Sequence, residues 1–352
     1  MEGTPRHTVI VSHGSALRAV RVARRRYARL PWRPLGLIEQ RRVLAASAPN
    51  RGDIDMGLLY REGLWDSEHP ETPIEVLVTH RNQTRHRPGL RCHVCSSALP
   101  AGSILEIAPG IYSVSPALML AQYARSHDFP EVVALAFELC GTFSLKESHV
   151  PGEICFDPSD HERESGYFES DPAIHAKELG RQLEGLAGIG NAKLALRAAR
   201  HTLDGARSPG EAIMASLFHL PFAAGGFAIR AMRLNHKVPF SREARAISGM
   251  PYAVCDAYVP ESHTTLEYNG AYHDLSSSRI HDERRTSGLK AMGITTDALN
   301  RIQLADIDAL EAEAIQLYRR AGARYQNRAR AHRVKQVELL NGLRRAFGWP
   351  EC

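Results

Sequence analysis

The sequence predicts an α/β protein of more than one module, and three observations carry that prediction. Short runs rich in β-branched and aromatic residues, such as PIEVLVTH (73–80) and YAVCDAYV (252–259), read as strands. Longer apolar runs such as PEVVALAFELCGTF (130–143) alternate with them and read as helices. Residues 148–172 are acidic, turn-rich and weakly periodic, which marks a linker or surface loop and the best domain boundary. The chain has 352 residues, enough for two or three domains, with 43% hydrophobic and 24% charged content, ordinary for a globular protein.

Taken in order, HTVIVS (7–12) is expected to be a strand, followed by a basic helix from Gly14 to Tyr27 with Leu17, Val20 and Val22 among arginines. Residues 30–72 are mixed and punctuated by Pro31, Pro34, Pro49 and Pro70. Strands are expected at 73–80 and 90–95, and a strand pair at 103–115 turns at Pro109-Gly110. Ser115-Pro116 opens a helix with proline at its first position. Helices follow at about 174–186 and 191–204, separated by Gly188 and Gly190. Ser208-Pro209-Gly210-Glu211 starts an apolar helix to about Leu220. Strands at 252–259 and 264–269, a helix over 279–292, a short strand from Ile294, and one or two helices over 305–347 complete the chain.

Net charge is +5, and its distribution says more than its sum. Gly3 to Ile38 holds no acidic residue but contains Arg18, Arg21, Arg24, Arg25, Arg26, Arg29 and Arg33. Arg319 to Lys335 repeats the pattern. Each stretch reads either as a phosphate-following surface or as a solvated helix face. The cysteines are spread out, the first residues lack the features of a secretory signal, and no apolar run approaches the ~18–20 residues of a membrane span. The expectation is a cytoplasmic protein with reduced thiols, no membrane partner and no small-molecule cofactor. Cys92-x-x-Cys95 lacks a second pair and reads as core strand rather than as zinc ligands. Gly185 to Gly190 has the wrong glycine spacing for a dinucleotide fingerprint.

The chemistry-bearing residues concentrate in the last third. Asp256 and Glu267 sit on neighbouring expected strands, and pairing of those strands places them side by side at one sheet end. Two such carboxylates form a hard-oxygen site suited to Mg²⁺ or Mn²⁺. Asn269 shares Glu267's strand face. Gly270 offers a tight turn, and His273 is placed either as an ordinary turn histidine or as a group moving protons near neutral pH. Glu211 follows Ser208 as the far half of a capping box, a role compatible with a place in the metal shell. Asp282 and Arg285 stand three apart on one helix, so a surface ion pair is the first reading of Arg285 and phosphate contact the second.

These pieces, in this order from Ser208 to Gly293, resemble the small bacterial endonuclease-like family related to the very-short-patch mismatch-repair endonuclease. The carrying motifs are Ser208-Pro209-Gly210-Glu211, Asp256 ahead of Val259-Pro260, Glu267-Tyr268-Asn269-Gly270-Ala271-Tyr272-His273, Asp282-Glu283-Arg284-Arg285, Leu289 and Gly293. The resemblance implies a PD-(D/E)XK restriction-endonuclease fold, a mixed sheet flanked by helices, over about 208–304. It implies Mg²⁺ or Mn²⁺ on Asp256 and Glu267, proton transfer by His273, Glu211 completing the shell, and Arg284 and Arg285 on the phosphates of DNA. The family pattern has Lys or Asp where this chain has Asn269, and Asn hydrogen-bonds a water without lending charge.

Residues 75–125, with LRCHVCSSALPAGSILEIAPGIYSVSPALMLAQYA, are similar to a region of abortive-infection type IV antitoxins. The expected organisation is an antitoxin-like α/β or α+β module (1–147), a linker and helical connection (148–207), the nuclease-like domain (208–304) and a basic helical tail (305–352). Two functions follow as expectations: a metal-dependent DNA endonuclease in defence or repair, or a non-catalytic DNA-binding regulator that keeps a nuclease fold.

Overall fold

The computed structural model describes residues 8–47, 56–62, 64, 72–84, 89–147, 166–269, 276–326 and 330–352. The chain is α/β, with mixed sheets flanked by helices. It divides into two compact units: residues 1–132 with 143–200, and residues 133–142 with 201–352. This division does not coincide with the boundaries expected at 147 and 207. The helices over 176–199 group with the first unit, and those after residue 305 with the second. Most of the expected linker lies outside the described residues.

In the first unit, β1 (Val9–Val11) is wholly buried and leads straight into α1 (His13–Tyr27). Ala16, Ala19, Val20 and Ala23 recur at helical spacing and bury one face of α1. Its arginines are not a free basic face. Arg24 is fully buried and donates to Ser170 Oγ and the Asp171 carbonyl, both at 3.1 Å. Arg21 pairs with Glu147 at 2.9 Å, Arg26 with Glu62 at 3.8 Å, and Arg25 lies over the Phe168 ring.

The region expected only to be mixed contains β2 (Arg33–Pro34), α2 (Leu37–Ala46) and α3 (Met56–Arg61). The strands β3 (Ile74–Val78), β4 (Leu90–Val94), β5 (Ile104–Ala108) and β6 (Ile111–Val114) complete a six-stranded sheet of order β2-β5-β6-β1-β3-β4. β1 runs parallel to β6 and antiparallel to β3, which keeps it central and explains its uninterrupted apolar sequence. α4 (Pro116–Tyr123) is capped by Ser115, whose hydroxyl accepts the Leu118 N–H, and Pro116 to Gln122 are all buried. α5 (Phe129–Cys140), whose residues 133–140 count with the second unit, is followed in the first by the hairpin of β7 (Phe143–Leu145) and β8 (Tyr167–Glu169), α6 (Ala176–Gly185) and α7 (Ala192–Ala199).

The second unit is built on a four-stranded sheet. α8 (Pro209–His219) is followed by β9 (Arg233–Pro239), α9 (Arg242–Ser248), β10 (Tyr252–Val259), β11 (Thr264–Asn269), α10 (Ser276–Ala291) and β12 (Thr295–Asn300). The order is β12-β11-β10-β9, with β9, β10 and β11 antiparallel and β12 parallel to β11. A parallel neighbour needs a crossover, and α10 supplies it. In β10, Ala253, Cys255, Ala257 and Val259 are buried while Tyr252 and Val254 are exposed, the alternation of a strand covered on one face. Val238, Phe240, Ala244, Leu289 and Ile294 pack with Ala253 and Cys255 into one core. α11 (Ile307–Arg320) and α12 (Arg330–Ala346) close the unit. Two arginines of the second basic stretch are likewise paired: Arg320 with Asp297, and Arg333 with Asp308 and Glu311 at 2.6 Å each.

Among the described residues no helix is long and apolar enough to cross a membrane. Cys92, Cys95, Cys140, Cys255 and Cys352 are unbridged. Because Arg24 fills core volume and satisfies buried acceptors, Arg24→Ala is expected to destabilise the first unit by about 2–4 kcal/mol. Chemical denaturation followed by circular dichroism measures this, and an unchanged midpoint would show that the guanidinium is dispensable to the core.

Candidate functional site

The β10–β11 ladder pairs Val259 with Thr264, Tyr258 with Thr265 and Ala257 with Leu266. One step further along that register, Asp256 stands opposite Glu267. There main-chain pairing gives way to a side chain, and Asp256 Oδ2 accepts the Tyr268 N–H at 2.9 Å. A carboxylate takes the place of a carbonyl where the two strands part. The expected neighbourhood of Asp256 and Glu267 is thus built by strand register, with Asp256 half-buried and Glu267 5% exposed.

Glu267 meets a group from outside the sheet. Arg285, on α10, donates to Glu267 Oε2 at 2.7 Å and to the Val254 carbonyl at 3.1 Å. Its distance to Asp282 is 3.9 Å, so the helical neighbour is the minor partner. Glu267 Oε1 is buried and makes no hydrogen bond among the described residues. Burial holds the Glu267 carboxyl well above the usual carboxylate range, and the negative charge of Asp256 adds to this. The Arg285 guanidinium and the nearby Asp256 N–H pull the other way.

Glu211 arrives from α8. Ser208 caps that helix by accepting the Glu211 N–H at 3.1 Å, and its hydroxyl donates back to Glu211 Oε1 at 3.2 Å. The other oxygen accepts the Arg207 N–H at 2.9 Å and the Asn235 amide at 3.0 Å. The cap is therefore formed, yet it leaves a buried carboxyl whose pKa is raised by burial and then by Asp256. Asp256 thus acts electrostatically on both glutamates.

Asn235 is the site residue that sequence reasoning misses. It sits in β9 with φ of 42°, a left-handed conformation uncommon outside glycine and tolerated by asparagine. Its amide also donates to the Gly205 carbonyl. The only sequence signal is an Asn interrupting the short run RLNHKVP.

Other candidates are placed less centrally. Asn269 ends β11, in register with Asn300, and is exposed. Arg284 donates from Nε to the Ser248 carbonyl at 2.9 Å, which ties it to the end of α9. Gly270 and His273 lie outside the described residues. Gly210 matters for assembly: a Cβ there would overlap the Tyr268 ring, so its absence lets α8 close on the end of β11. Trp349 backs Tyr268 with ring centroids 6.4 Å apart and is flanked by Arg301 and Arg344.

Among the described residues no three His, Cys, Asp or Glu side chains converge closely enough to hold a metal ion. Mg²⁺ ordinarily takes one or two carboxylates and keeps several waters, so a two-carboxylate set suits it without a third protein ligand. The unmatched buried oxygen of Glu267, beside a second carboxylate, has the chemistry of such a ligand. No family model, curated protein or solved structure matches this chain.

Glu211 and Glu267 have folded pKa values above their unfolded ones, so between the ordinary carboxylate range and neutrality the folded state holds more protons. The stability they contribute is present at low pH and is lost as pH rises through that window. The unfolding midpoint of the cation-free protein should fall between about pH 5 and pH 8, and Glu267→Gln should flatten that fall. A midpoint that rises over the same range in the wild type, with Glu267→Gln making no difference, contradicts the assignment.

Proposed function

We propose that the second unit is a divalent-cation-dependent phosphodiesterase of the PD-(D/E)XK type acting on DNA. The observation that carries this reading is the Asp256–Glu267 pair at the parting of β10 and β11, with one Glu267 oxygen buried and unmatched. The mixed sheet with a helix opening at Ser208, three antiparallel strands, a crossover helix and a parallel fourth strand agrees with the fold that the motifs imply.

In this reading Asp256 and Glu267 hold Mg²⁺ or Mn²⁺. The ion supplies polarisation of a phosphoryl oxygen and a more acidic water. Glu211 keeps a proton or negative charge close to Asp256, and Asn235 fixes its orientation. Asn269 orients water at the strand end, His273 moves protons, and Arg284 meets the DNA phosphates. Arg285 is committed to Glu267 and acts on the carboxylate rather than directly on the nucleic acid. Unbridged cysteines suit a reducing compartment such as the cytoplasm.

Two observations favour a second reading, a DNA-binding regulator without cleavage: the uncharged Asn269, and Arg285 occupying Glu267 Oε2. A plasmid-nicking assay with Mg²⁺ and with Mn²⁺ separates the two. The catalytic reading expects metal-dependent nicking that falls at least ~100-fold in both Glu267→Gln and Asp256→Asn. Equal cutting by wild type and either variant would overturn it. Salt-sensitive DNA binding with no cutting under either metal would establish the regulator instead. Mn²⁺ should also raise the unfolding midpoint more at pH 8 than at pH 5, because it binds the ionised pair. Equal shifts at both pH values would place the ion elsewhere.

A further inference from the structure

The first unit holds a cavity of about 360 Å³ that the proposed nuclease centre does not use, lined by His13, His93, Arg125 and the Gly188–Gly190 turn among others. We propose that this cavity binds a compact phosphate-bearing anion, gripped by Arg125 and the two stacked imidazoles.

The argument begins with the backbone. β1 turns into α1 through Ser12-His13-Gly14, and His13 has φ of 51°. A left-handed non-glycine residue persists only where its surroundings hold it, and such residues concentrate at binding and catalytic sites. Here the clamp is visible. The Gln122 side chain accepts the His13 N–H at 3.1 Å, and Glu75 Oε2 accepts the Gly14 N–H at 2.7 Å. A side chain at position 14 would collide with that same Glu75 oxygen.

Glu75 then acts a second time. Its other oxygen pairs with His93 Nε2 at 3.0 Å, which fixes that imidazole on β4. The His13 ring stacks on His93 with centroids 3.6 Å apart and an interplanar angle of 19°. One carboxylate therefore sets both the strained turn and the ring on which His13 rests. Two pre-positioned imidazoles line the cavity, so little ordering is left for a ligand to impose.

The charge of the cavity selects its occupant. Arg125 lines it, and among the described residues the Arg125 guanidinium makes no hydrogen bond and no ion pair. Glu75, the carboxylate beside the imidazoles, is not itself a lining residue and is engaged by Gly14, His93 and Arg91. Ser96, Ser97 and the Gly188–Gly190 turn add small polar groups to the wall. A planar guanidinium with imidazole and hydroxyl donors suits a phosphate group. The volume lies near the lower end of ligand pockets and limits the occupant to a small molecule.

Two other chemistries fit less well. Among the described residues no trio of His, Cys, Asp and Glu is placed to hold a metal. Burial pushes the Cys95 thiol up, so it stays protonated at neutral pH and is a poor nucleophile. Burial and the neighbouring His93 also hold the His13 pKa down to about 4, so His13 meets a ligand as a neutral imidazole.

The test uses the full chain, titrated calorimetrically with inorganic phosphate and with a nucleoside 5′-monophosphate, while imidazole resonances are followed by NMR. The expected result is saturable binding of at least one probe, with the His13 and His93 resonances moving together. Arg125→Gln should weaken that binding ~10-fold or more with an unchanged unfolding midpoint, because the side chain supports no fold contact. Arg324→Gln, in the second unit, should leave it intact. Saturation by the monophosphate alone would place part of the contact on the nucleoside. No saturation by either probe, or equal affinity in Arg125→Gln with unmoved imidazole signals, would overturn the proposal. The outcome is independent of whether the second unit cuts DNA.

Discussion

Burying two glutamates from different elements beside Asp256 is the constraint on which the second unit depends. Asp256, Glu267 and Glu211 come from β10, β11 and α8, and Asp256 acts on the other two. A buried carboxylate without partners is costly, so each is given some. Asp256 receives the Tyr268 N–H, Glu267 receives Arg285, and Glu211 receives Ser208, the Arg207 N–H and Asn235. The provision is incomplete: one Glu267 oxygen stays unmatched, and both glutamates are held toward their protonated forms. The left-handed backbone at position 235 adds a further restriction, one that asparagine tolerates better than most residues. An apolar core at the same place would carry none of these costs, which is the physical reason to read the cluster as a site.

Several elements are held to this point by close approach rather than by charge. Gly210 lets the Tyr268 ring lie against the first turn of α8, and Tyr268 follows Glu267 directly in β11. The same ring is backed by Trp349, beyond the last helix. Arg344 fixes that return by donating to the Pro350 carbonyl at 2.7 Å. The C-terminal segment, which composition marks as a basic tail, thus contributes to the packing that positions Glu267.

The parts legible in the sequence are those with local signals. β10 and β11 are read from their apolar and β-branched runs, and Asp256 and Glu267 come with them because strand phase is fixed at two residues. The α8 cap is read from Ser208 and Glu211 because a capping box spans only a few positions. β9 escapes because RLNHKVP has no clean alternation, and Asn235 escapes with it. The Glu267–Arg285 pair escapes because the local partner of Arg285, Asp282, is the natural guess from helix spacing, whereas Glu267 is brought to it by the crossover. Arg24 shows the limit of charge counting, since a run of arginines reads the same whether its middle member is solvated or fully buried. His13 and His93 belong to no spaced motif; only the pairing of β3 with β4, which sets Glu75 beside Arg91, brings them near one carboxylate.

Arg285 has to be set beside Asn269, because only one of the two brings charge to Glu267. Asn269 lends no charge at the exposed end of β11. Arg285 brings a fixed positive charge to the same carboxylate from α10, and a guanidinium does not lose that charge near neutral pH. Proton loss therefore cannot free Glu267 Oε2; only movement of α10 or of the side chain can. The second oxygen needs no such movement, being buried and unmatched already. A cation bound there would share Glu267 with Arg285 instead of displacing it. Mutual repulsion between ion and guanidinium would weaken that binding in proportion to the local dielectric. In the proposed reading the site would therefore hold a divalent ion loosely, and measured cation affinity, more than the order of the motifs, would decide between catalyst and scaffold.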